Sequence, residues 1–157
     1  MPELPEVEVL TRHLEPLLIN KKIHGVDVCR MKSIRPTSLR LMRDRLTGAK
    51  FKSLKRRAKY LLFEMTPSGK RPAFIMLGHL GMTGRMYVQP KKANLPRHTA
   101  LVLELARHNF VFEDTRYFGR MTLDTGALSD LGPEPMSDGF NGQVLCEALG
   151  RSAQSIK

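Results

Sequence analysis

Two prolines and three carboxylates crowd the first eight residues, Met1-Pro2-Glu3-Leu4-Pro5-Glu6-Val7-Glu8. Once Met1 is removed, Pro2 is a terminal secondary amine with Glu3 beside it and Glu6 one helical turn further on. Such an amine titrates near pH ~8, so an appreciable fraction is neutral and nucleophilic under physiological conditions. With a carbonyl or a sugar C1′ a secondary amine gives an iminium, cationic without needing a proton, which is Schiff-base covalent catalysis. Helix-start chemistry, with proline in the first turn and acids at the positive end of the macrodipole, accounts for Pro5, Glu6 and Glu8. It does not account for Pro2-Glu3 at the extreme terminus, where chains are ordinarily permissive.

Three further stretches carry candidate chemistry. Six of the ten residues from Lys50 to Lys59 are Lys or Arg. A solvated strand face is the plain explanation; the overall charge favours phosphate binding. Lys59 shares the strand parity of Leu61, Phe63 and Met65, which aims it into a cleft at a strand mouth. His79-Leu80-Gly81-Met82-Thr83-Gly84 joins two strands, and Met82 either folds back onto the core or serves as a wedge between base steps. Asp114-Thr115-Arg116-Tyr117-Phe118-Gly119-Arg120 surrounds a turn with arginines and aromatics suited to base edges, phosphates and stacking. An Asp–Arg pair closing the turn over a core Phe118 would explain each of those residues singly.

The elements that must position these groups follow from periodicity. Val7, Leu10, Leu14, Leu17 and Leu18 predict a first helix from about Pro5, kinked or ended near Pro16. Lys22 to Arg30 alternates as a strand, and Thr37 to Leu46 predicts a short second helix, capped by Thr37 or Ser38 and stopped at Gly48. Arg40, Arg43 and Arg45 fall on its solvated side. Beyond Lys50 the period is two through Met65, then across Ala73 to Leu77, Arg85 to Gln89, Thr99 to Ala106, Phe110 to Glu113 and Phe118 to Asp124. Leu101, Leu103 and Leu105 share one face, as in a half-buried strand. The pattern indicates an antiparallel sandwich or barrel whose pairing order is not legible. The fold class expected is α+β, mainly β: a two-layer antiparallel β-sandwich flanked by the N-terminal helix and the second short helix. Residues 1–131 form that domain, 132–138 are a Pro/Gly linker, and 139–157 begin a helical unit at Phe140 to Leu149.

The balance of 26 Lys+Arg against 15 Asp+Glu gives a net charge of +11 in 157 residues, and the pI is about 10.1. Such a surface suits a polyanionic partner. No apolar run approaches the ~18 residues of a membrane span, and no signal peptide precedes the charged N-terminus. Cys29 and Cys146 are isolated thiols that form neither a zinc ribbon nor a secreted disulfide framework, so a reducing, cytoplasmic setting is expected.

The N-terminal octapeptide, Arg56-Arg57-Ala58-Lys59-Tyr60-Leu61-Leu62, His79-Leu-Gly-Met-Thr-Gly, Asp114-Thr-Arg-Tyr-Phe-Gly and Leu131-Gly-Pro-Glu-Pro occur in this order along the chain. In that order they resemble the bacterial formamidopyrimidine-DNA glycosylases over its whole length. Leu4 resembles that branch rather than its endonuclease VIII relatives, which typically carry Gly there. The resemblance implies a bifunctional DNA glycosylase and abasic-site lyase of base-excision repair, removing oxidised purines (8-oxoguanine, formamidopyrimidines) from double-stranded DNA. Pro2 would attack C1′, expel the base and catalyse β,δ-elimination, with Glu3 as acid/base, Glu6 as a supporting carboxylate and Lys59 on a phosphate beside the lesion. Met82, Arg116 and Phe118 would fill the gap left by the flipped nucleotide, Arg116 facing the orphaned cytosine and Phe118 wedging the stack. Arg56, Arg57 and His98 count as further DNA contacts.

By the same resemblance the protein is a cytoplasmic, nucleoid-associated bacterial monomer with no membrane partner. Family members are longer, with a helix–two-turn–helix unit and a C-terminal zinc finger after the linker. Residues 139–157 are therefore expected to be the truncated start of that unit, with no metal or other cofactor in this chain. Weak DNA affinity and severely reduced base excision are expected of the chain alone, and inertness of any molecule that keeps Met1, because a peptide-linked Pro2 has no basic nitrogen. Two other classes stay open: a non-catalytic basic β-domain that binds nucleic acid, and a small-molecule enzyme using N-terminal proline as a general base, as tautomerases do. The charge of +11 argues against the second.

Overall fold

The fold, a computed structural model, describes residues 2–153. Helix α1 (Leu4–Leu18) buries Val7, Thr11, Leu14 and Leu18, the i, i+4, i+7 stripe that turns one helical face to a core. The Glu3 backbone N–H donates to Glu6 Oε2 at 3.0 Å, so a carboxylate one turn on satisfies an orphan donor at the helix start. Pro16 sits in the final turn, where few bonds remain to be lost, and the helix closes two residues later with Ile19 N–H donating to Glu15 O at 3.0 Å.

The strand expected from Lys22 to Arg30 is shorter: β1 is Gly25–Val28, preceded by an isolated Lys22–Lys50 bridge and followed by a 3-10 turn at Met31–Ile34. In α2 (Leu39–Leu46), Ser38 is the cap, its Oγ accepting from Leu41 N–H at 3.2 Å, and Met42 and Leu46 are buried. Seven strands follow: β2 (Lys50–Arg57), β3 (Tyr60–Thr66), β4 (Phe74–His79), β5 (Gly84–Pro90), β6 (Thr99–Glu104), β7 (His108–Asp114) and β8 (Arg120–Thr122). After the Pro/Gly segment comes α3 (Gly142–Gly150), capped by Asn141 and without a buried residue.

Two four-stranded sheets result, β1-β6-β7-β5 and β2-β3-β4-β8, antiparallel throughout. This is the mainly β, α+β sandwich. Phe51 and Phe63 from one sheet and Phe110 from the other meet edge to face, with centroids 6.1 and 5.7 Å apart, so aromatic edges bridge the layers. Strand β6 differs from the half-buried reading. Ala100, Leu101, Val102 and Leu103 are all buried, because β6 lies between β1 and β7 and the Met31–Ile34 turn packs against it. Cys29 and Cys146 are both exposed. Among the described residues no helix is long and apolar enough to cross a membrane.

A candidate nucleic-acid interface at the tip of the first helix

Lys59 is not a strand residue. It stands in the two-residue turn Ala58-Lys59, flanked by the paired residues Arg57 and Tyr60, so the parity argument does not apply to it. Its ammonium still reaches the helix tip, with Nζ 2.6 Å from Glu3 Oε2. That hydrogen bond holds the Glu3 carboxyl below the usual carboxylate range. Glu6, by contrast, caps the helix through the Glu3 N–H. Pro2 lines a cavity of about 420 Å³ together with Met82, Thr83, Glu113 and Thr115. The expectation about Met1 falls outside the described residues.

Met82, Arg116 and Phe118 come together through Asp114. This carboxylate is fully buried at the end of β7 and accepts from Thr83 Oγ1 at 2.5 Å, Arg116 N–H at 3.1 Å and Gly119 N–H at 2.7 Å. Burial alone would raise its pKa; the Thr83 hydroxyl and the backbone N–H groups of Gly119, Arg116 and Phe118 outweigh burial and hold it below the ordinary value. One side chain thus lashes the turn before β5 to the loop before β8. Where the loops cross, Gly81 has φ +62, and a Cβ there would lie 2.6 Å from Gly119 N and 2.7 Å from Phe118 C. No other residue fits.

These bonds also explain why the strand expected from Phe118 begins only at Arg120: residues 116 and 119 spend their N–H groups on Asp114 instead of on a ladder. Phe118 and Met82 are 45% and 41% exposed, so neither is a core residue. Arg116 Cζ lies 5.1 Å and Lys32 Nζ 5.5 Å from the Phe118 ring centroid, within cation–π range. Tyr117, at φ +52, carries Arg30 over its ring at 4.9 Å, and its hydroxyl lies 3.3 Å from His98 Nδ1. His98 therefore braces the loop through Tyr117.

The clearest departure concerns Arg56 and Arg57. Arg56, with a side chain only 6% exposed, places Nε 2.6 Å from Glu8 Oε2 and Nη1 2.6 Å from Glu134 Oε1. Its Nη1 also donates to Ala58 O at 3.0 Å. Arg57 binds Glu134 Oε2 at 3.1 Å and Gly132 O at 2.5 Å. A buried guanidinium must be paired, or it is strongly destabilising. Arg56 is thus committed inside the protein rather than offered to phosphate, and Arg57 largely so. The partner lies 77 or 78 positions away, beyond the reach of any local pattern.

Sequence reasoning also passed over His79. Its Nδ1 accepts from Gly81 N–H at 3.1 Å, its ring lies 4.8 Å from that of Tyr60, and burial, then the Lys59 and Arg120 charges, push its pKa down. A neutral ring accepting at Nδ1 carries its proton on Nε2, which is then a donor. The available signal was a histidine heading a loop singled out only for Met82. Among the described residues no group of three or more His, Cys, Asp or Glu could hold a metal ion.

Comparison with known proteins gives a consistent picture. The pattern of the formamidopyrimidine-DNA glycosylase N-terminal domain matches residues 1–121. The formamidopyrimidine-DNA glycosylase of Carboxydothermus hydrogenoformans is 36% identical over 157 residues, covering 100% of this chain and 57% of that protein. That of Xanthomonas axonopodis pv. citri is 40% identical, covering 98% and 57%. The chain thus spans a little over half the length of these curated relatives. Among solved structures, the Lactococcus lactis enzyme bound non-covalently to DNA containing an abasic site superposes with a TM-score of 0.88 at 29% identity, over 99% of this chain and 60% of that one. The same enzyme with DNA containing N7-benzyl-Fapy-dG also gives 0.88, over 99% and 58%.

Proposed function

Since the chain belongs to the formamidopyrimidine-DNA glycosylase family, we propose that it carries the base-excising and abasic-site-cleaving centre of a DNA repair enzyme acting on oxidised purines in duplex DNA. With Met1 removed, the Pro2 nitrogen lone pair attacks C1′ of the damaged nucleotide. The bond from C1′ to the base breaks, and its electron pair leaves with the base, which takes up a proton. Opening of the sugar ring leaves an iminium between Pro2 and C1′. Loss of a C2′ proton then expels the 3′ phosphate, and a second elimination expels the 5′ phosphate.

Glu3, on the same helix tip, serves as the acid/base of ring opening and proton transfer. Lys59 and the Nε2–H of His79 offer charge and a donor to phosphate oxygens nearby. The Lys59 ammonium holds the Glu3 carboxyl below its ordinary value in the free chain, and its transfer to a DNA phosphate would let that value rise back toward the ordinary one when substrate arrives. The loops tied by Asp114 present Met82 and Phe118 as wedges and Arg116 as a donor to the base left opposite.

The observation that carries this reading is that Pro2 shares one cavity with Met82 while its neighbour Glu3 holds Lys59. Borohydride trapping on a duplex with an abasic site tests it, after mass spectrometry has confirmed loss of Met1. A covalent adduct is expected from the processed chain and none from chain that retains Met1. Salt-dependent binding without any adduct from the processed chain would refute the catalytic reading and leave a basic DNA-binding domain.

A further inference from the structure

We infer that Glu134, on the segment after the sandwich, is the positioning residue that fixes Lys59 against Glu3. The inference rests on the reading of Lys59 as part of the DNA-binding centre. Lys59 is a flexible side chain, about a third exposed (34%), and an exposed pair of this kind is weak when its geometry is left free. A 2.6 Å contact therefore needs the backbone beneath the lysine to be held.

What precedes Lys59 is Ala58 at φ +51, a left-handed conformation that residues with a Cβ disfavour. Both polar groups of Ala58 are taken. Its N–H donates to Glu134 Oε2 at 2.9 Å, and its carbonyl accepts from Arg56 Nη1 at 3.0 Å. The same Nη1 lies 2.6 Å from Glu134 Oε1, which closes a ring of Glu134, Ala58 and Arg56 around the turn. Burial opposes ionisation of Glu134, but the Ala58 N–H and the two guanidinium groups outweigh it and hold the carboxyl below its ordinary range. The other edge of Arg56 binds Glu8 on α1, the helix whose tip carries Pro2 and Glu3. One carboxylate from beyond the sandwich thus sets the turn of Lys59, and through Arg56 its register against α1.

A plain anchor for the Pro/Gly segment would show the same contacts, so the test must read Lys59 itself. In the full 157-residue chain, without DNA, the side-chain carboxyl carbon of Glu3 is titrated by NMR in the unsubstituted protein and in Glu134→Gln. The amide keeps an acceptor for Ala58 or for Arg56 but loses the charge that holds both guanidinium groups. The expected result is an upward shift of the Glu3 midpoint toward its ordinary value of 4.5, as Lys59 disengages. Arg71→Gln, which breaks only the exposed Arg71–Asp44 pair, is expected to leave that midpoint in place.

An unmoved Glu3 midpoint in Glu134→Gln, or an equal shift in Arg71→Gln, overturns the inference. Should Glu134→Gln fail to fold, Glu134→Asp keeps the charge but draws the carboxylate back from the Ala58 N–H it accepts at 2.9 Å; a smaller upward shift supports the inference and none overturns it. The readout needs no DNA. A failed trapping experiment with a shifted Glu3 removes the catalytic reading alone, and successful trapping with an unshifted Glu3 removes this inference alone.

Discussion

Asp114→Asn is the substitution whose cost can be worked most directly from the geometry. The carboxylate is fully buried and accepts three hydrogen bonds, two on Oδ1 and one on Oδ2. An asparagine oxygen can keep Thr83 and Arg116, but its NH₂ then faces the Gly119 N–H, donor against donor. The loss comprises one charge-assisted bond, about 1.5–3 kcal/mol, and a buried N–H without an acceptor, about 1–3 kcal/mol. Relief from burying a charge returns part of this, leaving a net destabilisation of about 2–4 kcal/mol. In urea at pH 7 that lowers the midpoint by roughly 1–2 M, given an unchanged slope of ordinary size.

The pH dependence supplies an independent check. Asp114 is held below its ordinary value in the folded chain. Its stabilisation is therefore complete above the unfolded pKa of about 3.9 and is lost as pH falls through the folded value. Asparagine has no such dependence, so the two proteins are expected to converge in stability as the pH drops below about 4. A cost under about 1 kcal/mol at pH 7, or a gap that stays constant into acid, would refute the claim that Asp114 ties the two loops as an ion.

Phe118→Ala is expected to change stability by no more than about 0.5 kcal/mol, as befits an exposed side chain. The same variant should weaken binding to an abasic duplex by about 1–3 kcal/mol, the worth of one stacked base; equal affinities would remove Phe118 from the interface. His79 is held neutral by burial, so its contribution to stability is complete above about pH 6.5 and declines as pH falls through the lowered folded pKa. Chemical denaturation at pH 7.5 and 5 should show a smaller loss for His79→Gln than for the unsubstituted chain, and equal losses would contradict the assignment.

Local chemistry was legible where its partners are local. The stripe Val7, Leu14 and Leu18 and the Ser38 cap placed both flanking helices to within a few residues, and period-two runs located the sandwich strands. Legibility failed where a distant side chain replaces the ladder or the solvent. Asp114 takes the N–H groups of residues 116 and 119 and so delays β8, although Phe118 to Asp124 alternates well enough to look like strand. Arg56 and Arg57 read as a solvated or phosphate-facing pair because nothing within their own strand reveals Glu134. Strand β6 looked half-buried because alternation reports one face, while the cover on the other comes from the Met31–Ile34 turn. The candidate site was visible as a set of residues; that Glu3 and Lys59 meet across the helix tip was not.

Strand order carries a consequence for synthesis. β1 closes onto β6, and β4 waits for β8 at Arg120–Thr122, so neither sheet is complete until most of the chain has left the ribosome. Chains emerge N-terminal end first, and here the helix that carries Pro2 and Glu3 and the turn of Lys59 are made long before the strands that enclose them. Glu134 arrives last of all. Until then Ala58 must hold its left-handed turn without the carboxylate that receives its N–H, and the tip of α1 faces a lysine whose turn is not yet held. Assembly of the centre is thereby deferred to a moment when the sandwich around it already exists.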